Sequence, residues 1–465
     1  MTVPREPDPL PPEVVGRAMD RAAGGRPIPG NRVTVLFDGP EFYPAMLDRI
    51  AAARRWIHLD NYYIIRSDAT GVRFAEALIE RARAGIPVRV QTDWLGSLTT
   101  RRSFWRRLRA AGASVRAFNP PRLIRLRQNL IRDHRKLLVV DGETAVTGGL
   151  CLGNEWAGAP AAGRQPWRDT GVAIDGPAAA ALDRAFAAVW RISGPPLEET
   201  ELPAEAPMRG ESAVRVVAGE PGGVRAFRAT ELLLAGAAER IWITDAYFVA
   251  PRGIYQALLD AAREGIDVRV LAPGTSDLPR VQRLTRVDYF ELLRAGVRIF
   301  EWRGPMLHAK TIVVDGRWIR VGSSNLNVSS LLANYEIDIL ADDAGLGQVM
   351  EAQFRRDIDR SVEVRLREPE EGRRRRHLQS LNPAPEAGAP SHRPGLRERR
   401  RRAVVTLRAV LAGSRRGLLL QAALGLVLVG ALFLLVPRVM AAVFAALSLW
   451  LAAAAWAESA RSRRD

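Results

Sequence analysis

The sequence predicts an α/β protein made of two duplicated α/β/α lobes, followed by a C-terminal transmembrane helical hairpin. Three observations carry this reading. The stretches His134-Arg135-Lys136-Leu137-Leu138-Val139-Val140-Asp141 and His308-Ala309-Lys310-Thr311-Ile312-Val313-Val314-Asp315 both read H-x-K-x-x-x-x-D, 174 positions apart. The segments ALIERARAGIPVRV (77–90) and ALLDAAREGIDVRV (257–270) share nine of fourteen positions at an offset of 180, a repeat unit too long for a solenoid and long enough for a lobe. Near the end, 418–436 and 439–457 are two uncharged runs of 19 residues each. As helices each would reach about 28 Å, close to the hydrocarbon thickness of a bilayer.

Taken in order, residues 1–30 hold Pro, Gly and charge without sustained periodicity. They are expected to form a mostly disordered arm with a short helix near Pro12–Ala23. The first lobe is expected over 31–195. Its strands fall at 33–37, 56–65, 88–92, 115–118, 137–140 and 145–147, where short apolar runs meet turn residues, and its helices at 43–54, 72–84 and 101–111. Strands alternating with helices imply a sheet that is at least partly parallel and covered by helices. An acidic, Pro-rich linker (196–213) leads to the second lobe at 214–366, where Asp245-Ala246-Tyr247 is the expected counterpart of Asp60-Asn61-Tyr62. Residues 367–402 read as a basic, low-complexity linker. Residues 403–465 begin as a basic amphipathic segment and contain the two apolar runs, with Pro437-Arg438 as the turn between them.

The bulk composition narrows the function. Hydrophobic content of 47% suits a large core, and the single cysteine, Cys151, excludes an internal disulfide. The net charge of +17 is concentrated: 367–416 hold fourteen Arg against five acids, next to the apolar runs. Nucleic acid and anionic lipid both suit such a segment, and its position favours lipid. Met1 to Glu13 has no apolar core, so no secretory signal is expected. Arg415, Arg416, Arg461, Arg463 and Arg464 flank the outer ends of the hairpin, against Arg438 alone in its turn. The positive-inside rule then places both ends, and the lobes, on the cytoplasmic side of the inner membrane.

Of 68 basic residues only two are lysines, and these are Lys136 and Lys310. A chain that uses the wide guanidinium fork everywhere else, yet a compact ammonium in both motifs, points to a requirement for the point charge there. If the lobes face each other, two imidazoles and two ammoniums surround one small volume, a composition suited to a phosphate. The lysines would neutralise non-bridging oxygens and favour the more charged pentacovalent transition state. One histidine, neutral, would attack phosphorus; the other, protonated, would supply the leaving alcohol's proton and later take one from the acceptor. No Cys/His zinc spacing or carboxylate cage is apparent, so neither metal nor cofactor is expected. Asp141 and Asp315 belong to the motif, but each precedes Gly, as in a hairpin turn, and a mainly structural role is expected for both. His58 reads as a packed strand residue.

Together the paired motif and the stretches HRKLLVVDGETAVTGG, WRDTGVAIDGPA, MLHAKTIVVDG, VGSSNL and NYEIDI resemble the phospholipase D superfamily, in particular its bacterial cardiolipin synthase branch, from about Val33 to Leu366. The resemblance implies phospholipase D-type lobes related by a pseudo-twofold axis with one active site between them. It implies that His134 is the nucleophile and His308 the acid/base, that Asp169 and Glu336 orient the imidazoles, and that Ser323 and Asn325 bind phosphate. Two positions depart from the pattern: Gly149 stands where the second copy has Ser323, and Cys151 where it has Asn325. Many members of the branch carry their membrane helices at the N-terminus, whereas the hairpin here is C-terminal. The activity expected is a phosphatidyl transfer that joins two phosphatidylglycerol molecules into cardiolipin and glycerol through a phosphohistidine. The rivals are a hydrolytic phospholipase D, a nucleic-acid phosphodiesterase tracking the basic helix 101–109, and a non-catalytic lipid-binding scaffold.

Overall fold

The motif strands are apolar on both faces, which is the signature of a strand covered on both sides, and the rest of the architecture is arranged around them. The computed structural model of the chain describes residues 12–63, 68–121, 128–159, 162–202, 205–366 and 378–380. Its strands are β1 (Ile28–Phe37), β2 (Ile57–Asn61), β3 (Val88–Asp93), β4 (Ser114–Phe118), β5 (Lys136–Val140), β6 (Thr144–Gly148), β7 (Thr170–Asp175), β8 (Ser212–Gly219), β9 (Arg240–Asp245), β10 (Asp267–Pro273), β11 (Arg298–Trp302), β12 (Lys310–Val314), β13 (Trp318–Gly322), β14 (Glu336–Asp342), β15 (Ser361–Leu366) and β16 (Leu378–Ser380). Its helices are α1 (Pro12–Ala23), α2 (Asp38–Ala52), α3 (Ala69–Arg83), α4 (Arg102–Ala110), α5 (Asn154–Ala157), α6 (Pro177–Trp190), α7 (Arg225–Ala235), α8 (Arg252–Arg263), α9 (Pro279–Val287), α10 (Tyr289–Ala295) and α11 (Ala344–Asp359).

All the strands join one mixed sheet in the order β16-β15-β11-β10-β9-β12-β13-β14-β8-β1-β7-β6-β5-β2-β3-β4. Outward from the β8/β1 pair the first seven strands follow the same order in both directions, which is the expected duplication expressed as pseudo-twofold topology, and β15 and β16 extend the second lobe's edge. Within each lobe three strands run parallel (β2, β3, β4 and β9, β10, β11) and the motif strand joins them antiparallel. Side chains alternate across the sheet. Leu138 and Val140 of β5 enter a core with α2, α3 and α4, while Leu137 and Val139 enter a second core beneath α6 and α11. That second core also takes Val313, Ile319 and Ile337, so both lobes share it.

The structure corrects four expectations. Residues 12–30 are not a disordered arm: α1 forms over Pro12–Ala23, as the short helix was expected to, and β1 starts at Ile28. Met19, Ala22 and Ala23 pack with Ala226, Ala229 and Leu233 of the second lobe, and Arg215 pairs with Asp20 at 2.9 Å. The linker 196–213 is docked through the turn Glu199–Glu201, and its last two residues, Ser212 and Ala213, already belong to strand β8. Asn61, not Asp60, stands opposite the motif lysine in the ladder (Asn61↔Lys136), as Asp245 stands opposite Lys310. Asp60 turns the other way and accepts from Arg135 Nη2 at 2.6 Å. Within 367–402, three residues form the edge strand β16. The expected hairpin at 418–436 and 439–457 lies outside the described residues; among the described residues no helix is long and apolar enough to cross a membrane.

Candidate active site

Each motif starts just before its strand, so His and Lys sit at the strand's entrance and Asp at its far end. Asp141 and Asp315 therefore do not join the catalytic pairs. Both adopt a left-handed backbone (φ 57° and 53°), each followed by a left-handed glycine, in the turns that close the β5–β6 and β12–β13 hairpins. Asp141 accepts the backbone N–H groups of Arg54, Arg55 and Trp56, and Asp315 those of Ala238, Glu239 and Arg240. The motif's aspartates anchor the loop before the adjacent strand, β2 or β9, which is the mainly structural role expected of them.

The two His-Lys pairs are stitched together across the lobes. His134 N donates to Tyr335 O at 2.9 Å, and His308 N to Arg168 O at 2.7 Å. The residues that follow those carbonyls are Glu336 and Asp169. Glu336, from the second lobe, takes Nδ1 of His134 at 2.9 Å; Asp169, from the first lobe, takes Nδ1 of His308 at 2.7 Å. Each imidazole is thus oriented by the opposite lobe. A carboxylate only accepts, so Nδ1 of His134 carries the proton and its Nε2 keeps a lone pair, while Nδ1 of His308 lies between Asp169 and Lys310 Nζ, the latter at 2.9 Å. Arg168 adds a further tie between the lobes, with Nε 2.9 and 3.0 Å from the Asp357 carboxylate oxygens.

The departures between the two motifs have a structural reason. Ser323 Oγ donates to Glu336 at 2.5 Å, so its hydroxyl supports the orienting acid. At Gly149 a Cβ would lie 2.1 Å from Asp169 Oδ1. The shorter acid fills the space of the missing side chain and takes Trp156 Nε1 instead, at 2.8 Å. Asn325 is buried with its Oδ1 unpartnered among the described residues, while its Nδ2 makes a 3.4 Å contact with Ser330. Cys151 is buried too.

Sequence reasoning named Asn61, Tyr62 and Tyr247 only as part of the repeat, and assigned no site role to them or to Trp156. The rings of Tyr62 and Tyr247 stand edge-on to His134 and His308 at 4.9 and 5.9 Å, and Trp156 edges His308 at 5.2 Å. Asn61 is fully buried, and both of its amide atoms lack a partner among the described residues. Its place opposite Lys136 was the available signal, visible once the strand register is known.

Electrostatically the cleft behaves as one unit. Burial lowers the pKa of His134, and Lys136 and Lys310 add to this against the pull of Glu336. Burial, then Lys310, pushes His308 down to about 4. Burial also takes Lys310 down to about 8, with Lys136 contributing in the same direction. Asp169 and Glu336 are held below the usual carboxylate range despite burial, because His308 and His134 with the lysines favour their charged forms. Both lysines act on both histidines and disfavour their protonated forms. The arrangement sets two ammoniums beside two oriented imidazoles, a composition suited to an anion, with imidazoles able to attack or to exchange a proton.

The comparisons with known proteins agree with this geometry. The family model described as "Cardiolipin synthase, PLD-like domain" matches residues 46–190 and 232–358. Over 372 residues the chain is 35% identical to cardiolipin synthase A of Pseudomonas aeruginosa (strain LESB58), covering 78% of this chain and 74% of that protein. It is 33% identical over 336 residues to the major cardiolipin synthase ClsA of Bacillus subtilis (strain 168), covering 70% and 69%. Among solved structures, the phosphatidylserine synthase of Haemophilus influenzae Rd KW20 shares the fold, with a TM-score of 0.59 at 16% identity over 75% of this chain and 92% of that one.

Proposed function

The chain belongs to the cardiolipin synthase, PLD-like family, and from that premise we propose that it is a phosphatidyltransferase that makes cardiolipin and glycerol from two molecules of phosphatidylglycerol. The observation that carries the reading is the pair of cross-oriented imidazoles flanked by the chain's only two lysines.

The mechanism follows from these groups. Nε2 of His134 attacks the donor's phosphorus, and a P–N bond forms as the P–O bond to the leaving glycerol breaks. His308 gives its Nε2 proton to that glycerol. Lys136 and Lys310 hold the non-bridging oxygens throughout. The terminal hydroxyl of a second phosphatidylglycerol then loses its proton to His308 and attacks phosphorus, the P–N bond breaks, and cardiolipin leaves with His134 free. In the empty cleft His308 is neutral at pH 7, with its pKa at about 4. The negative charge of a bound phosphodiester acts the opposite way and favours the imidazolium that the first step uses. His134 is the nucleophile by the family's pattern, and no step calls on a metal or cofactor.

The lobes span 31–195 and 212–366 in this reading, joined by 196–211. The runs 418–436 and 439–457 form a membrane hairpin that tethers them, through the basic stretch 367–402, to the cytoplasmic side of the inner membrane. Support comes from the length of the runs, the absence of charge in them and the arginines at their outer ends.

The test supplies phosphatidylglycerol to the detergent-solubilised full chain, with and without a chelator, beside His134→Ala, and follows products by mass spectrometry. Cardiolipin and glycerol, lost in the variant and indifferent to chelator, are expected. Phosphatidic acid in their place would make the protein a hydrolase with the same site.

A further inference from the structure

Two stretches at the catalytic edge carry exposed apolar side chains that nothing among the described residues covers. The first follows β3 and holds Leu95 and Leu98, 49% and 59% exposed. The second follows β10, the duplicate of β3, and holds Leu278, Leu284 and Val287, 47%, 44% and 40% exposed. Both leave the sheet where the parallel strands end, and at that end Asn61 faces Lys136 and Asp245 faces Lys310.

Each stretch is fastened to a tyrosine that touches a catalytic histidine. Gly96 lies so close under Tyr62 that a Cβ would meet its carbonyl at 2.0 Å, and Tyr62 edges His134. Tyr247 Oη donates to Asp277 at 2.8 Å, one residue before Leu278, and its ring edges His308. The apolar side chains therefore rim the cleft, one set on each lobe.

The charge around them is mostly positive, with Asp277 and Asp288 at the two ends of the second stretch as the exceptions. Residues 94–110 contain no acid, and the exposed Arg101 and Arg102 follow Leu98 closely. Helix α9 contains none either. On it Arg280, Arg283, Leu284 and Val287 recur at the three- and four-residue spacing of a single helical face, all exposed, while Thr285 is buried. A face of mixed Arg and aliphatic residues suits the boundary between anionic headgroups and acyl chains. It suits a nucleic acid less well, because a phosphate backbone gives Leu284 and Val287 nothing to bury against.

We infer that this rim seats the lobes, cleft downward, on an anionic phospholipid surface, with the aliphatic tips inserted and the arginines on lipid phosphates. The inference rests on the phosphatidyltransferase reading in that the substrate is then a lipid still in its bilayer, presented headgroup first to the lysines.

The single cysteine is buried, so introduced thiols can be labelled selectively. Leu98→Cys, Leu284→Cys and, on the opposite edge between α8 and β10, Glu264→Cys would carry an environment-sensitive fluorophore on the full chain. The chain is reconstituted in phosphatidylglycerol or in phosphatidylcholine bilayers. Labels at 98 and 284 are expected to shift to the blue and to be quenched by nitroxide lipids in phosphatidylglycerol, with a weaker effect in phosphatidylcholine and none at 264. Equal exposure at all three positions overturns the inference, as does protection of 98 and 284 by single-stranded nucleic acid and not by bilayers. A second arm uses Leu284→Ser with Val287→Ser: activity on bilayers should fall about tenfold or more, and activity on monomeric short-chain phosphatidylglycerol should stay. Insertion of the labels without any cardiolipin would sink the proposed activity and leave the docking face standing; cardiolipin with solvent-exposed labels would do the reverse.

Discussion

Asn61 and Asp245 occupy the same place in the two half-sites and differ in charge. Asp245 accepts the N–H groups of Tyr247 and Leu326 at 2.9 and 2.7 Å, so it holds the turn that carries Asn325. In the first lobe the matching Leu152 N–H goes to the carbonyl of Tyr63 instead, and the Asn61 amide has no partner among the described residues. The first half-site has thus exchanged the amide of the turn, now Cys151, for one on β2. With Asn61→Asp, a buried carboxylate would face the incoming phosphodiester, and kcat/KM is expected to fall roughly 10- to 100-fold with the melting temperature little changed. Equal losses of activity and stability would mark Asn61 as packing alone. A pH profile checks the neighbouring charges. Lys310 must be protonated to hold phosphate, so affinity for a phosphodiester should decline as pH rises through about 8. His134 is lowered from 6.5, so the acid limb of kcat/KM should lie below that value. Lys310→Arg should remove the basic limb while lowering the plateau, since Arg stays charged throughout the range. The motif residues were legible in the sequence because chemistry fixes their type and spacing, and both orienting acids were legible only through the family resemblance. Asn61 was not, since its role depends on strand register, and neither was the crosswise pairing of acid and histidine, which only the packing of two lobes creates.

The motif strands and their hairpins were equally legible, because β5 and β12 are apolar on both faces and end in Asp-Gly. The inter-lobe connection was not. Its acidic, Pro-rich composition reads as solvated, yet Glu201 is buried against lobe one. It accepts from Arg89 Nε at 2.9 Å and lies 3.3 Å from Nε2 of His58, whose Nδ1 is 2.5 Å from Asp183. His58 itself is the packed strand residue that its position suggested, stacked on Phe186 at 4.7 Å. Glu201→Gln leaves His58 and Arg89 short of a buried anion and is expected to cost about 3 kcal/mol. The pH dependence follows from the two shifts. Burial opposes ionisation of Glu201, but His58 and Arg89 prevail and bring it from 4.5 to about 2, so its contribution is present above pH 4.5 and is lost as pH falls toward 2. Burial likewise opposes the charge on His58, but Asp183 and Glu201 prevail and raise its pKa, so its contribution is complete below 6.5 and is lost as pH rises through the elevated value. Urea melts of the wild type and the variant across pH should therefore differ most between about 4.5 and 6.5. A difference that does not change with pH would mean that this connection is held by something other than these charges.

At the scale of the molecule, the chain crosses between its lobes more often than the duplication requires. Helix α1 precedes lobe one yet packs on lobe two; β1 pairs with β8 at Ile28↔Val214 and Asn31↔Ser212; one core lies under both lobes; and each histidine depends on the other lobe's acid. Two lobes tied in this way should unfold together, so that fluorescence and activity are lost in one coincident transition. Removal of residues 1–25 should lower the midpoint by exposing the site of Met19 on lobe two, at a cost of about 2–5 kcal/mol. The crosswise acids make a sharper demand. Halves of the chain cut between 203 and 204 and made separately each contain a complete H-x-K motif, but each imidazole lacks the carboxylate that fixes its tautomer. Neither half alone should turn over phosphatidylglycerol. Mixing should restore cardiolipin formation with a dependence on the concentration of both halves, and Glu336→Gln in the second half should weaken transfer from His134 in the first. Activity from either half by itself would mean that a single lobe, or a pair of identical lobes, builds a working site, and the one-site arrangement would have to be abandoned.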